Sequence, residues 1–490
     1  MPLQNYKISS VSSKYPLVVD LDGTITPTDT LMESVIRMIK HSPLSLFSLP
    51  WALMRGKAAF KDAVARRAGV DAELLPYRET LIEYLRAEKA TGRRIIMATA
   101  AHTSIAKSVS QHLDLFDDVI ATDSHRNLKG AAKLTAIRER VGNEFVYAGD
   151  SRADIPIWRA SSAAVFVGVP TALKRNVGEQ VPIEREFLPD PVGVIDWLRA
   201  LRVHQWIKNL LLFVPLLTAF SFSETQTFVT MVWAFLAFSF AASGTYIAND
   251  LFDLESDRAH PRKRKRPFAS GRISIKKGLL AAMTVMVLGF AFASLVSLAF
   301  LFMLVLYIIL TSAYSLVLKD YVLIDVLVLA ILYTMRILAG AVASAVTTSS
   351  WLLAFSLFIF LSLALVKRCA ELVSIRQSGK ESVEGRDYRV SDLVVLWPLG
   401  IGASLSAVVV YGLFVSAPET QARYAMPSML WLVAVSLVFW LGRLWIKTAR
   451  GEMHDDPIVY AIKDFGSCVT VLAIIVATCI AHFFDPGGLL

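Results

Sequence analysis

The chain has 490 residues, of which 55% are hydrophobic, and a formal net charge of +9. That is too apolar for an ordinary soluble enzyme, yet charges are plentiful before residue 200, so composition predicts a soluble N-terminal part (residues 1–198) and a membrane part (199–490). No nucleic-acid partner is expected, because much of the positive charge lies between apolar segments, where the positive-inside rule accounts for it. The three cysteines (Cys369, Cys468, Cys479) have no metal-like spacing and predict no disulfide framework.

Residues 1–19 lack an apolar stretch behind a basic start, which predicts no signal peptide and an N-terminal domain in the cytoplasm. Short apolar runs at 15–20, 94–98, 145–148 and 163–169 read as buried strands, with helical patterns between them. This predicts an α/β parallel sheet. In such a sheet the carboxyl ends of the strands meet at one crevice. Those ends carry Asp20 and Asp22 (Asp20-Leu21-Asp22-Gly23-Thr24), Thr99, and Asp150 with Asp154, while Lys133 lies on the helical stretch before the third run. The set has a chemical logic. Asp20 can attack a phosphoryl group, and Asp22 can protonate the leaving oxygen and then activate water. Thr99 and Lys133 can hold phosphate oxygens, and Asp20, Asp150 and Asp154 can hold Mg²⁺.

In this order the motifs resemble those of the haloacid-dehalogenase-like hydrolases over residues 14–170, and the resemblance implies a Rossmann-like phosphatase. It casts Asp20 as nucleophile and Asp22 as acid/base, with Lys133 preferred and Lys129 as the alternative lysine. Residues 28–80 look like a small helical cap. Its apolar stretch Leu44–Met54 is expected to pack against the core, with membrane contact as the alternative.

The C-terminal part predicts nine spans, at about 207–222, 227–248, 277–295, 298–316, 321–342, 350–366, 393–415, 427–447 and 467–485. The apolar run from Gly278 to Leu318 is too long for one span and is expected to fold back near Ser294–Ser297. Loops 249–276, 317–320, 367–392 and 448–466 hold nearly all the Lys and Arg. That pattern predicts an inner (plasma) membrane protein with its N-terminus inside and C-terminus outside. Polar residues expected on the inner side include Arg202, Lys208, Lys319, Arg336, Lys367, Arg368 and the stretch His454–Asp464. For Lys208, Lys319 and Lys367, anchoring at the membrane edge is an equal alternative. Arg336, deep in the fifth span, predicts a phosphate or carboxylate partner.

Between the second and third spans stands Asn249-Asp250-Leu251-Phe252-Asp253-Leu254-Glu255-Ser256-Asp257, followed by the basic run Arg258 to Arg266. Helical spacing puts Asn249, Asp250, Asp253 and Asp257 on one arc with Glu255 pointing away, a donor set suited to Mg²⁺ and phosphate. This cluster resembles the first Mg²⁺–diphosphate motif of the UbiA superfamily of membrane prenyltransferases, an all-α polytopic fold of nine helices. Instead of a second Asp pair after span six, the sequence reads Lys367-Arg368-x-x-Glu371-Leu372. With Arg202 to Asn209 and Asp456 to Asp464, this is similar to the decaprenyl-phosphate phosphoribosyltransferase branch.

The resemblance implies Mg²⁺-dependent transfer of 5-phosphoribose from phosphoribosyl diphosphate to a polyprenyl phosphate. Mg²⁺ would sit on Asn249, Asp250, Asp253 and Asp257, with Asp250 and Asp253 catalytic. The substrate phosphates would be bound by Arg202, Lys208, Asn249, Arg258, Arg262, Arg266, Lys319, Arg336, Lys367 and Arg368. The soluble domain would then remove the product's 5-phosphate, giving a cell-envelope pentose precursor. The alternative is transfer of a prenyl chain from a polyprenyl diphosphate to an aromatic or lipid acceptor. A membrane anchor or transporter without catalysis is the reading from another class.

Overall fold

The computed structural model describes residues 14–189, 191–220, 224–347, 349–379, 386–453 and 457–484. They form two compact units, residues 1–202 with 246–283, and residues 203–245 with 284–490. The first unit is built on a six-stranded parallel sheet in the order β3-β2-β1-β4-β5-β6. The strands are β1 (Leu17–Val19), β2 (Ile95–His102), β3 (Asp118–Thr122), β4 (Val146–Gly149), β5 (Ala163–Val167) and β6 (Ile183–Phe187). β1 is flanked by β2 and β4, with Val18 opposite Ile96 and Tyr147. Alternate residues of the central strands feed two separate cores. Leu17, Val19, Met97 and Ala148 join one, while Val18, Ile96, Tyr147 and Phe166 join the other. Burial on both faces is why these runs are continuously apolar.

The expected strands are present. β3 and β6, which the hydrophobic pattern missed, are the two edges, and β6 (Ile-Glu-Arg-Glu-Phe) is charged because Glu184 pairs with buried Arg93 and Glu186 with Lys174. The cap consists of the helices Thr30–His41, Leu49–Met54 and Lys57–Arg67 with a 3₁₀ turn at Pro43–Ser48. The stretch Leu44–Met54 is not packed against the core as expected. None of residues 49–54 is buried, and Phe47 is 81% exposed.

Residues 246–283 belong to this unit through an apolar underside and a set of ion pairs. Ile247, Leu251, Leu254, Phe268, Ile273 and Ile275 share a core with Ile36 and Ala200, with Met32 and Trp197 packed against it. Above it, Arg258 makes a bidentate pair with Glu33 (2.8 and 2.6 Å), both side chains buried, and its Nε donates to the Ala269 carbonyl. Lys40 pairs with Asp253, Arg37 with Glu255 and Lys276 with Asp29.

Eight helices among the described residues are long and apolar enough to cross a membrane, where nine were expected. The first expected span is instead a 3₁₀ segment, Val203–Phe213, followed by a five-residue helix, Val214–Thr218. Pro215 lacks the N–H that would continue the preceding turn. Buried Asn209 is held sideways by Ser239 and Arg336. The segment lies so close to the helix Ile324–Ser344 that a Cβ at Gly340 would come within 2.0 Å of the Leu212 carbonyl oxygen. The fold-back before the fourth expected span is where the sequence places it. One helix ends at Val296 and Ser297 caps the next, its hydroxyl accepting from the Phe300 N–H at 3.1 Å.

The helix expected at 350–366 runs on to Gln377 and stops only at Ser378 and the left-handed Gly379. Lys367, Arg368 and Glu371 are therefore helical, not in a loop.

The Arg258–Glu33 pair gives a direct test. Arg258→Leu strands a buried carboxylate and should destabilise the first unit by about 3 kcal/mol. The measurement is urea unfolding of that unit in the full-length, detergent-solubilised chain. An unchanged midpoint would mean that the apolar underside alone holds residues 246–283.

Candidate active site

The turn after β1 brings Asp20 and Asp22 to the floor of a cavity of about 590 Å³, which Asp150, Asp154 and Lys133 also line. Gly23 makes the turn possible. Its φ is +80°, and a Cβ there would sit 2.1 Å from Asp150 Oδ2. Asp20, Asp150 and Asp154 can place one ligand oxygen each within 4.8 Å of one another, the only such set of three or more acidic, His or Cys side chains among the described residues. The donor set of three carboxylates is the hard-oxygen chemistry that Mg²⁺ takes.

Lys133 comes from the helix Ala131–Val141. Its ammonium donates to Asp20 Oδ2 at 2.7 Å, Asp154 Oδ1 at 3.3 Å and the Tyr147 hydroxyl at 2.8 Å. Lys129 lines the cavity but is exposed, so the structure favours Lys133 of the two. Asp154 is fixed further by the Tyr147 hydroxyl (2.8 Å) and by Ser151 through its N–H and hydroxyl.

Burial raises the Asp20, Asp22 and Asp150 carboxyls, although the Lys133 ammonium that donates to Asp20 opposes the shift there. Burial, reinforced by Asp29, pushes the Asp22 carboxyl up to about 7, against the Thr30 N–H that donates to it at 3.0 Å. Burial and the neighbouring Asp20 and Asp154 charges raise Asp150 to about 8. Burial opposes the charge on Lys133, but Asp20 and Asp154 outweigh it and hold its pKa above the ordinary lysine value. A carboxyl that titrates near neutrality beside a carboxylate paired with a lysine can divide acid and nucleophile roles.

Thr99 lies on β2, fully buried, with its hydroxyl accepting from the Ala101 N–H at 3.0 Å; the cavity wall there is Ala100, Ala101 and His102. Two wall residues had no sequence signal of their own. Lys61 reaches in from the cap and donates to the Ala100 carbonyl (2.5 Å) and Asn127 (2.7 Å), and burial lowers its pKa. Lys276 arrives with Ser274 and Ile275 from the far end of the 246–283 segment, 2.8 Å from Asp29. Only the tertiary fold brings either residue here.

Within the same unit, the Asn249–Asp257 motif sits at the end of the helix Thr225–Phe252 and in the short helix Leu254–Ala259. The three aspartates do not gather on one arc as expected. Asp250 is buried and paired with Arg202 and with Arg266 (3.2 Å), and Arg266 also holds Asp257 at 2.7 Å. Asp253 is drawn instead to Lys40, and Glu255 to Arg37. Arg202 stacks over the Tyr246 ring at 4.9 Å. Arg258, expected on substrate, is committed to Glu33, whereas Arg262 is exposed.

In the second unit, Arg336 has no carboxylate partner among the described residues. Its partners are neutral, namely Asn209 Oδ1 (3.0 Å), the Leu332 carbonyl (2.7 Å) and the Tyr307 hydroxyl (2.6 Å), with the Tyr307 and Tyr333 rings beside it. Lys208 also faces the Tyr333 ring, at 5.7 Å. Arg368 cannot bind a phosphate as placed. It is buried against Asp325 (2.6 and 3.1 Å) and Glu371, and Tyr388 donates to the same aspartate. Lys319 is half-buried in a 3₁₀ turn, Leu318–Asp320. Asp464 caps the last helix and takes Arg443, while His454, Asp455 and Asp456 lie outside the described residues.

Residues 211–463, more than half of the chain, match the UbiA prenyltransferase family. The chain belongs to that family. Residues 17–159 match the haloacid dehalogenase-like hydrolases, so this UbiA-family membrane transferase carries an N-terminal hydrolase domain of that type. Uncharacterized protein y4nM of Sinorhizobium fredii is 39% identical over 457 residues, 92% of this chain and 88% of its own. The decaprenyl-phosphate phosphoribosyltransferase of Corynebacterium glutamicum is 30% identical over 259 residues, 51% of this chain and 75% of its own. A solved UbiA homolog from Archaeoglobus fulgidus, bound to GPP and Mg²⁺, covers 58% of this chain and 99% of its own at 16% identity and a TM-score of 0.45.

The raised Asp150 carboxyl predicts proton-linked metal binding. Mg²⁺ needs the carboxylate, so binding at pH 7 should release protons, and affinity should rise from pH 6 to about pH 8 before levelling. Calorimetry in two buffers of different ionisation enthalpy measures the release, which Asp150→Asn should reduce. A pH-independent affinity would contradict the assignment.

Proposed function

We propose that the UbiA-type part transfers 5-phosphoribose from phosphoribosyl diphosphate to a polyprenyl phosphate, and that the hydrolase domain removes the 5-phosphate of the product. The observation that carries the first half is the 30% identity to a decaprenyl-phosphate phosphoribosyltransferase across 75% of that protein. The second half rests on the Asp20–Asp22–Lys133–Asp150–Asp154 cavity, suited to a phosphomonoester of the kind that such a transfer would create.

In the hydrolase cavity, Asp20 attacks phosphorus and the ester oxygen leaves with the proton of Asp22. Water, deprotonated by the same Asp22, then hydrolyses the aspartyl-phosphate, restoring the carboxylate and releasing inorganic phosphate. Lys133 balances charge on the phosphoryl oxygens. Asp20, Asp150 and Asp154 would hold Mg²⁺, whose contribution is to neutralise the phosphoryl charge.

For the transferase, Asn249, Asp250, Asp253 and Asp257 would hold Mg²⁺ only after Asp253 leaves Lys40 and Asp250 and Asp257 leave Arg202 and Arg266; the ion would then neutralise the departing diphosphate. Arg202 and Arg266 are its natural partners, because both guanidiniums already rest on carboxylates of the motif and can re-pair with phosphate. Lys208, Lys319 and Lys367 stay in the set proposed for the substrate phosphates, with anchoring at the membrane edge as the equal alternative. Arg258 and Arg368, bound to buried carboxylates, drop out of the substrate-binding set.

The test incubates the purified chain with Mg²⁺, ribose-labelled phosphoribosyl diphosphate and a polyprenyl phosphate, followed by lipid extraction. Label should enter the lipid fraction and vanish with Asp250→Ala. With Asp20→Asn the labelled lipid should accumulate with its 5-phosphate retained. Label from an isoprenyl diphosphate in its place would establish prenyl transfer, and an unchanged 5-phosphate fate in Asp20→Asn would uncouple the two domains.

A further inference from the structure

The cap carries an apolar ridge that no other described part of the chain covers. Leu44 is 80% exposed, Phe47 81%, Trp51 69% and Met54 83%. Left in water, a patch of this size is a standing cost, and on a functional protein such patches mark a binding surface. Its surroundings specify the partner. Between Glu33 and Asp62 there is no carboxylate, whereas Arg37, Lys40, His41, Arg55, Lys57 and Lys61 fall in that interval. Of these, His41, Arg55 and Lys57 are exposed beside the ridge. A tryptophan and other large apolar groups with exposed His41, Arg55 and Lys57 in the same stretch suit the headgroup layer of an anionic bilayer.

The ridge is also continuous with the catalytic cavity. Leu53, 54% exposed, lines that cavity, as do Lys57, Phe60 and Lys61 from the next helix.

We propose that the 43–54 ridge of the cap seats in the headgroup layer of a membrane and hands a lipid-borne phosphomonoester to the Asp20 cavity. The proposal rests on the phosphatase reading above and adds the surface through which that lipid-borne substrate reaches the cavity.

The test uses the full-length chain in nanodiscs of anionic lipid, with exposed Cys468 and Cys479 replaced by serine. A bimane label on Met54→Cys should be quenched by headgroup-proximal spin-labelled lipid about twofold more than one on Glu144→Cys, at the opposite end of the sheet strands. Equal quenching at the two positions would overturn the proposal, as would a Met54 label that responds only to a second copy of the chain.

In parallel, the Phe47→Glu/Trp51→Glu variant should lose about tenfold in hydrolysis of polyprenyl-phosphoryl-5-phosphoribose in the nanodisc and keep its rate on ribose 5-phosphate in solution. Equal losses on both substrates, or none on either, would overturn it. A wild-type chain inactive on both would sink the phosphatase reading, while the quenching would still decide the membrane contact.

Discussion

One buried ion pair, Glu33 with Arg258, organises the first unit. A carboxylate and a guanidinium withdrawn from water are tolerated only when each satisfies the other, and here the pair is bidentate with the remaining Nε on a carbonyl. It fixes the 246–283 segment on the hydrolase domain, and other features follow. Asp253 and Glu255 find Lys40 and Arg37 on the same cap helix, and the far end of the segment delivers Ser274, Ile275 and Lys276 to the wall of the hydrolase cavity. A segment that the sequence assigns to one chemistry thus lends residues to the other.

Charge burial follows two patterns. Asp325–Arg368 is a closed account, with every guanidinium nitrogen on a carboxylate and the aspartate also held by Tyr388. Burial, together with negative charge in the Asp20–Asp150–Asp154 group that Lys133 does not offset, raises Asp150 to about 8. Such an excess favours a cation, and phosphate chemistry supplies both a metal and an anion to complete the balance. By that criterion the hydrolase cavity is poised for ligand, and the Arg368 network is structural.

Much of this was legible in the sequence because it rests on local spacing. Asp-x-Asp-Gly-Thr after an apolar run could only place two carboxylates at a strand end, and the turn at Ser297 followed from the length of the apolar run. What escaped depended on partners distant in sequence. Arg258 looked like a phosphate ligand because nothing nearby announces Glu33, 225 residues earlier. Arg368 looked free because Asp325 lies on another helix. β3 and β6 were missed because Asp118, Glu184 and Glu186 interrupt their apolar pattern and find Arg140, Arg93 and Lys174 elsewhere in the fold, and the first expected span failed at Pro215 and Asn209, which hydropathy averaging discounts. Lys61 and Lys276 carry no motif at all; the fold alone makes them wall residues.

The apolar underside of the 246–283 segment has a hereditary consequence. A phosphatase gene ending near residue 198 would encode a surface where Ile36 and Trp197 meet water in place of Leu251, Phe268 and Ile273. Joining such a gene to a membrane transferase is therefore not a matter of adding a linker. The seam that must match on both sides runs through Glu33 and Arg258, so recombination at the linker alone would produce chains that are continuous in sequence and mismatched in the fold.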